Sequence, residues 1–228
     1  MMMSWEEFAP FLPALAAGAR MTVALTLATL LLGFAIALPV ALCRKACSRP
    51  ARAFATLFVF LFRGTPVLAL MYMIYYGSPE LAVVRQTPLW ALFRDPVACA
   101  VLALSLNSAG YLTEVIAGAL RSVPTGQIEA ARALGLGRWR TFRFVEAPNA
   151  LRIGLRSYGN EVVFVLKGTS AASLITVADV LAVARQIYDR TFDPLTPMLA
   201  AGALYLAFVA VLIGVVRLAE RRVALVER

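Results

Sequence analysis

Residues 21–43 run for 23 positions without a charged side chain, and this one stretch decides the solvent in which the chain folds. As an α-helix rising 1.5 Å per residue it extends about 35 Å, enough to cross a hydrocarbon core of roughly 30 Å. Inside that core every backbone N–H and C=O must be satisfied within the segment, which leaves helix as the form open to a single stretch. Four more apolar stretches follow, at 53–76, 96–120, 157–178 and 195–216. The chain is 61% hydrophobic and 15% charged, with a mean hydropathy of +0.78, more apolar surface than a soluble domain can cover. The reading is an all-α integral membrane protein, a five-span helical bundle forming a single domain over 1–228.

Basic residues orient the bundle. The segments 44–52, 119–156 and 217–228 hold four, seven and four of the 22 Lys and Arg. By the positive-inside rule these face the cytoplasm. The opposite loops balance Arg85, Arg94, Arg185 and Arg190 against Glu80, Asp95, Asp179, Asp189 and Asp193. Five crossings place the N-terminus outside and the C-terminus inside. The net charge of +9 is thus accounted for by topology, and no nucleic-acid partner is implied. The first twelve residues carry Glu6 and Glu7 but no Lys or Arg, unlike a cleaved signal, which needs a basic start. Trp5, Phe8 and Phe11 predict a short interfacial helix there.

Several chemistries are excluded by residue type. There is no histidine, which removes the commonest general base and metal ligand. Cys43 and Cys47 lie a helical turn apart and Cys99 is remote; with no further ligands they read as reduced thiols, and no metal is expected. No G-x-x-x-x-G-K-[ST] occurs, so the chain has no nucleotide-binding loop of its own.

The loop 121–148 carries the clearest signal. Pro124 and Gly126 predict a turn, Thr125 an N-cap, and 127–134 a short helix ended by Gly135 and Gly137. A second short helix over 139–145 presents Trp139, Phe142 and Phe144 before Pro148 opens the fourth span. Glu129 is expected in the first turn, where the helix dipole favours a carboxylate. Ala130, Ala131 and Gly135 keep the surface thin enough to pack in a groove. A polar helix–turn–helix beneath the membrane cannot belong to the lipid-facing wall, so it is offered to something outside.

Glu129-Ala130-Ala131, Gly135, Val145 and Pro148 resemble the EAA loop of ATP-binding-cassette importer permeases, whose usual form is E-A-A-x3-G-x9-I-x-L-P. Val145 stands for the usual Ile and Ala147 for the usual Leu. The resemblance extends to Phe62-Arg63-Gly64-Thr65-Pro66, the segment 107–114, Ser122-Val123-Pro124, Asn160-Glu161 and Lys167-Gly168-Thr169-Ser170. Together these are similar to the polar amino-acid subfamily, near its histidine, lysine/arginine and opine permeases. The resemblance implies a transmembrane subunit of the bacterial inner membrane with no ATPase and no cofactor of its own. It implies docking of an ATPase dimer, which carries ATP and Mg, through Gly126, Glu129, Ala130, Ala131 and Gly135. It further implies a second permease, another chain or a copy of this one, and a periplasmic substrate-binding protein that delivers an amino acid. The loop helix would then act as a lever that switches the spans between inward-open and outward-open.

Four ionisable groups fall inside the predicted spans: Arg63 about 16 Å past the basic cluster, Lys167 at a similar depth, and Glu114 and Glu161 in the cytoplasmic half. Such groups cost several kcal/mol unless paired or hydrated, so they mark either a structural ion-pair network or a polar path. Gly64 and Pro66 disturb the second span beside Arg63 and free carbonyls there. For an amino-acid zwitterion, Arg63 is the donor to the carboxylate and Glu114 the acceptor of the ammonium. Asn107, Ser108, Thr113, Asn160, Thr169 and Ser170 add neutral hydrogen bonds. Where relatives often carry Lys-Asp-Thr-Ser this chain has Gly168, so an acid able to meet a cationic side chain is missing. Either the partner permease supplies it, or the substrate is not strongly basic. An ion-coupled secondary transporter would also use interior charges, but predicts inverted repeats, which five spans accommodate poorly. A membrane-embedded enzyme lacks a nucleophile with its base. A scaffold that recruits the ATPase without carrying substrate remains the other reading.

Overall fold

A computed structural model of the chain describes residues 5–45 and 48–224, with the backbone alone for Trp5, Lys45, Val223 and Ala224. Cys47 of the cysteine pair and Arg228 of the C-terminal basic cluster lie outside the described residues. Among the described residues all regular structure is helical. The principal helices are α1 (Leu12–Lys45), α2 (Arg49–Gly64), α3 (Val67–Tyr72), α4 (Pro96–Arg121), α5 (Thr125–Ala133), α6 (Ala147–Gly168), α7 (Val180–Thr191) and α8 (Leu195–Ala224).

Among the described residues three helical stretches are long and apolar enough to cross a membrane: Glu6–Arg44, Pro96–Arg121 and Leu195–Arg222. Two bent pairs raise the number to five if each counts as one span: Arg49–Gly64 with Val67–Glu80, at 98°, and Arg138–Ile175 with Val180–Thr191, at 47°. The second apolar stretch is therefore no straight rod, because Pro66 cannot continue the ladder and the chain turns through residues 64–67. Helix α4 is the hub: 56% of its apolar stretch is buried, against 6% for α8, and its largest interface is with α1. Small residues make that interface close. A Cβ at Gly33 would sit 3.4 Å from Ser105 O and from the Ser108 Cβ, and Thr22, Thr26 and Thr29 on α1 are buried.

Four local expectations need correction. The N-terminal segment is no separate interfacial helix: Trp5–Phe8 and Ala9–Phe11 lead straight into α1, and Phe8 is buried against Leu15, Val183 and Ile187. Its apolar surface is taken up by α7. Thr125 is the first residue of α5 rather than its N-cap; Pro124 occupies that place, with φ −57° and ψ 127° and no side-chain cap. Glu129 consequently lies in the second turn, away from the unpaired N–H groups that concentrate the dipole. Finally, Pro148 does not separate two helices. The turn Arg138–Thr141, the wide turn Phe142–Glu146 and α6 are continuous, because widening the helix just before Pro148 relieves the clash with the preceding carbonyl.

Candidate functional site

The residues predicted to form the polar path are found at three places, and those predicted to dock the ATPase at a fourth. The first is the break after α2. Asn107 on α4 donates from Nδ2 to Phe62 O at 2.8 Å and to Thr65 O at 3.3 Å, satisfying carbonyls that the turn and Pro66 leave without helical donors. Gly110, one turn on, lets the backbone come in: a Cβ there would lie 3.0 Å from Arg63 N. Arg63 stacks its guanidinium 5.2 Å over the Tyr111 ring, a cation–π contact. Arg63 also sits in the last turn of α2, where a cation is favoured by the helix dipole.

The second place is one turn below on α4. Glu114 Oε1 pairs with Arg44 Nη2 at 2.7 Å, both side chains about a quarter exposed (22% and 24%). Arg44 Nη1 reaches Thr56 Oγ1 at 3.4 Å, so the pair ties α1, α2 and α4. The sequence counted Arg44 as a topological charge; nothing in the spacing shows that it meets Glu114.

The third place is an open groove of about 440 Å³ between α6 and α8, lined by Arg156, Asn160, Phe164, Lys167, Arg217 and Glu220 among others. Gly159 brings the helices together, for a Cβ there would come within 2.5 Å of Val216 Cγ1. Asn160 and Lys167 are exposed into the groove. Glu161, next in sequence, is 7% exposed and turns onto α4 beside Ser108, which separates it from Asn160. Thr169 and Ser170 follow in a tight 3-10 segment, Thr169–Ile175. Their hydroxyls donate to Leu166 O and Lys167 O, both at 2.7 Å, so they cap the end of α6 instead of adding free donors. Asn107, Thr169 and Ser170 are polar for the sake of broken backbone, a use that residue type alone does not distinguish from ligand binding. Thr113 likewise bonds back to Ala109 O at 2.7 Å.

The fourth place is α5. Ile128 packs on the cluster of Ala119, Leu120, Val123 and Ala150, and Ala131 is buried, while Gly126, Glu129, Ala130 and Ala133 face out. Asn149 Nδ2 donates to Gln127 Oε1 at 2.9 Å and to Val145 O at 2.8 Å, fastening α5 to the start of α6. Ala131 therefore serves the inner face, not the outer surface. Gly135 has φ +81° and ends the helix: Leu136 N reaches Ala131 O at 3.1 Å and Gly135 N reaches Arg132 O at 2.9 Å, a left-handed C-terminal cap that glycine adopts without strain. Leu134 (81% exposed) and Trp139 (68%) stand beside the outer face of α5. Among the described residues no three His, Cys, Asp or Glu side chains group to hold a metal.

Comparison with known proteins places this arrangement. Residues 30–225 match the family described as binding-protein-dependent transport system inner membrane component. The nopaline transport system permease protein of Agrobacterium fabrum is 43% identical over 209 residues, 91% of this chain and 87% of that one. The histidine/lysine/arginine/ornithine transport system permease protein of Salmonella typhimurium is 41% identical, covering 90% and 88%. The octopine transport system permease protein of Rhizobium radiobacter is 38% identical, covering 89% and 81%. A crystal structure of an amino acid ABC transporter with histidines superposes with a TM-score of 0.87 at 28% identity, over 97% of this chain and 100% of that one. Against the MetNI methionine ABC transporter the TM-score is 0.78 at 22% identity, over 97% and 99%, a likeness of fold. The ion-coupled reading has no support in these relatives, which are transport permeases and not enzymes. The chain belongs to the family of binding-protein-dependent transport system inner membrane components and is a permease subunit of the ABC transport type.

Proposed function

We propose that this chain is one of two permease subunits of an amino-acid or opine importer in the bacterial inner membrane, its whole length forming one permease domain. It crosses the membrane five times, each bent pair counting as one span, with the N-terminus outside and α5 and the C-terminus in the cytoplasm. A separate ATPase dimer, holding ATP and Mg, docks on the outer face of α5, and a periplasmic binding protein delivers the solute. ATP binding favours one of two arrangements of the spans, and α5 transmits that preference to α4 and α6, between which it is fastened. Arg63, Glu114, Asn160, Glu161 and Lys167 lie along the path, while Asn107, Thr169 and Ser170 hold its broken helices in shape.

The observation that carries this reading is the two-sided build of α5. Its Ile128 and Ala131 side is packed into the bundle, and its Glu129 and Ala130 side is open, as a lever that is rigid at one end and offered at the other requires. The test is ATP-driven uptake by vesicles containing the co-purified partners, comparing the natural chain with Glu129→Lys. Uptake should fall to background while the two permeases still co-purify. Undiminished uptake, or failure of a cross-linker at residue 133 to capture an ATPase, would remove α5 from the coupling role.

A further inference from the structure

Asn107, Gly110 and Glu114 are spaced three and four residues apart on α4, so they share one face of that helix. All three serve α2. Asn107 holds the carbonyls at its C-terminal end, and Gly110 admits the Arg63 backbone. Glu114 reaches the earlier part of α2 through Arg44, whose second nitrogen meets Thr56. Thr56 Oγ1 donates to Arg52 O at 2.9 Å, which leaves a lone pair for the guanidinium. Between the two fastenings Phe58 of α2 packs on Ala37, Ala109 and Leu112. The end of α1 and the body of α2 are thus gathered on α4, and α4 runs on into α5 through residues 122–124.

Glu114 lies seven residues before the end of α4, about 10 Å along the helix, in an apolar stretch where a lone carboxylate or guanidinium is costly. At 2.7 Å the charges of Arg44 and Glu114 offset each other. A solute ammonium brought to Glu114 therefore meets a pair with no net charge, and taking the carboxylate for itself would leave Arg44 uncompensated. Both partners belong to this chain, so the contact does not depend on what a neighbouring subunit supplies. We infer that the Arg44–Glu114 pair is a clasp and not a solute ligand: it makes the end of α1 and the body of α2 follow α4 when α5 is displaced. The inference rests on the transport role given above and makes Glu114 a positioning residue within it. A clasp works with either polarity, since the attraction is the same when the charges are exchanged. An acceptor for a solute ammonium needs the carboxylate at position 114 itself.

The complete transporter, purified through a tag on this chain, is placed in vesicles, and the solute taken up per ATP hydrolysed is measured with labelled arginine and its N-carboxyalkyl derivative as probes. Glu114→Arg and Arg44→Glu should each lower that ratio about ten-fold. The chain carrying both should return to within about three-fold of the natural ratio. A pair that only held the fold together would change the amount of complex recovered and leave the ratio alone. A doubly exchanged chain that assembles yet stays as low as the single variants overturns the inference and gives the carboxylate to the solute. Single variants with the natural ratio overturn it too. Should the charge-reversed chains fail to co-purify with the ATPase, Arg44→Gln, Glu114→Gln and their combination replace them: the same loss in all three supports the clasp, and losses that multiply overturn it. Absence of ATP-driven uptake of any solute by the natural complex would instead strike the transport role itself.

Discussion

Replacing Gly110 by alanine should loosen the docking of the broken second helix on α4, and a second glycine on the same helix isolates the effect. The added Cβ at 110 would lie 3.0 Å from Arg63 N, 3.3 Å from Arg63 Cβ and 3.4 Å from Arg63 Cα. Two of these are backbone atoms, held in place by the bonds from Asn107 to Phe62 and Thr65, so the neighbour cannot swing aside as a flexible side chain would. At Gly118, two turns along, a Cβ would meet nothing within 4 Å. Both substitutions gain the helix preference of alanine over glycine, about 0.5–1 kcal/mol, and that gain cancels in the comparison. What remains is the overpacking at 110, about 1–3 kcal/mol. For a chain of this length that corresponds to roughly 2–12 °C in melting temperature. Thermal unfolding of the purified transporter in detergent reads the difference, with Gly110→Ala melting below Gly118→Ala. Should the two variants melt within about one degree of each other, the α2 end is not pressed against α4 as described, and the break is free to move.

Two more outcomes follow from polar contacts between helices. Tyr205 donates to Asp179 Oδ2 at 2.9 Å, and Asp179 Oδ1 also accepts from Ala182 N at 2.8 Å, with Asp179 fully buried. Tyr205→Phe should cost about 1–3 kcal/mol by leaving an acceptor short, and Asp179→Ala more, since it also removes the cap of α7; a melting curve for Tyr205→Phe that matches the natural chain would show the contact to be slack. Glu114→Gln should abolish ATP-driven uptake while co-purification with the ATPase persists. If Arg44→Gln gives the same loss, the pair acts as a unit, and if Glu114→Gln transports normally, Glu114 lies off the path.

Much of the architecture was legible because the bilayer reduces the choices. A charge-free run such as 21–43 can be little else than a helix, and Pro66 after Arg63-Gly64 announces a break whatever surrounds it. Helix ends were less legible. The helix containing Pro148 passes through that residue because the preceding turn widens, an adjustment that no single residue type signals. The partners of the polar residues were not legible at all. Asn107 reads equally as a ligand or as a clamp on Phe62 and Thr65, and Arg44 reads as a topological charge until α1 and α4 lie side by side.

The chain by itself determined its solvent, the break beside Pro66, and the polar segment between 121 and 148 that had to face away from lipid, because each follows from transfer free energy and backbone hydrogen bonding along a few consecutive residues. Tertiary structure alone decided which charges meet. Glu114 is paired across to Arg44, Glu161 is turned onto α4, and Lys167 is left facing a groove with no acid beside it. Electrostatic partnership depends on distances between helices, and residues 70 positions apart acquire such a distance only when the helices pack.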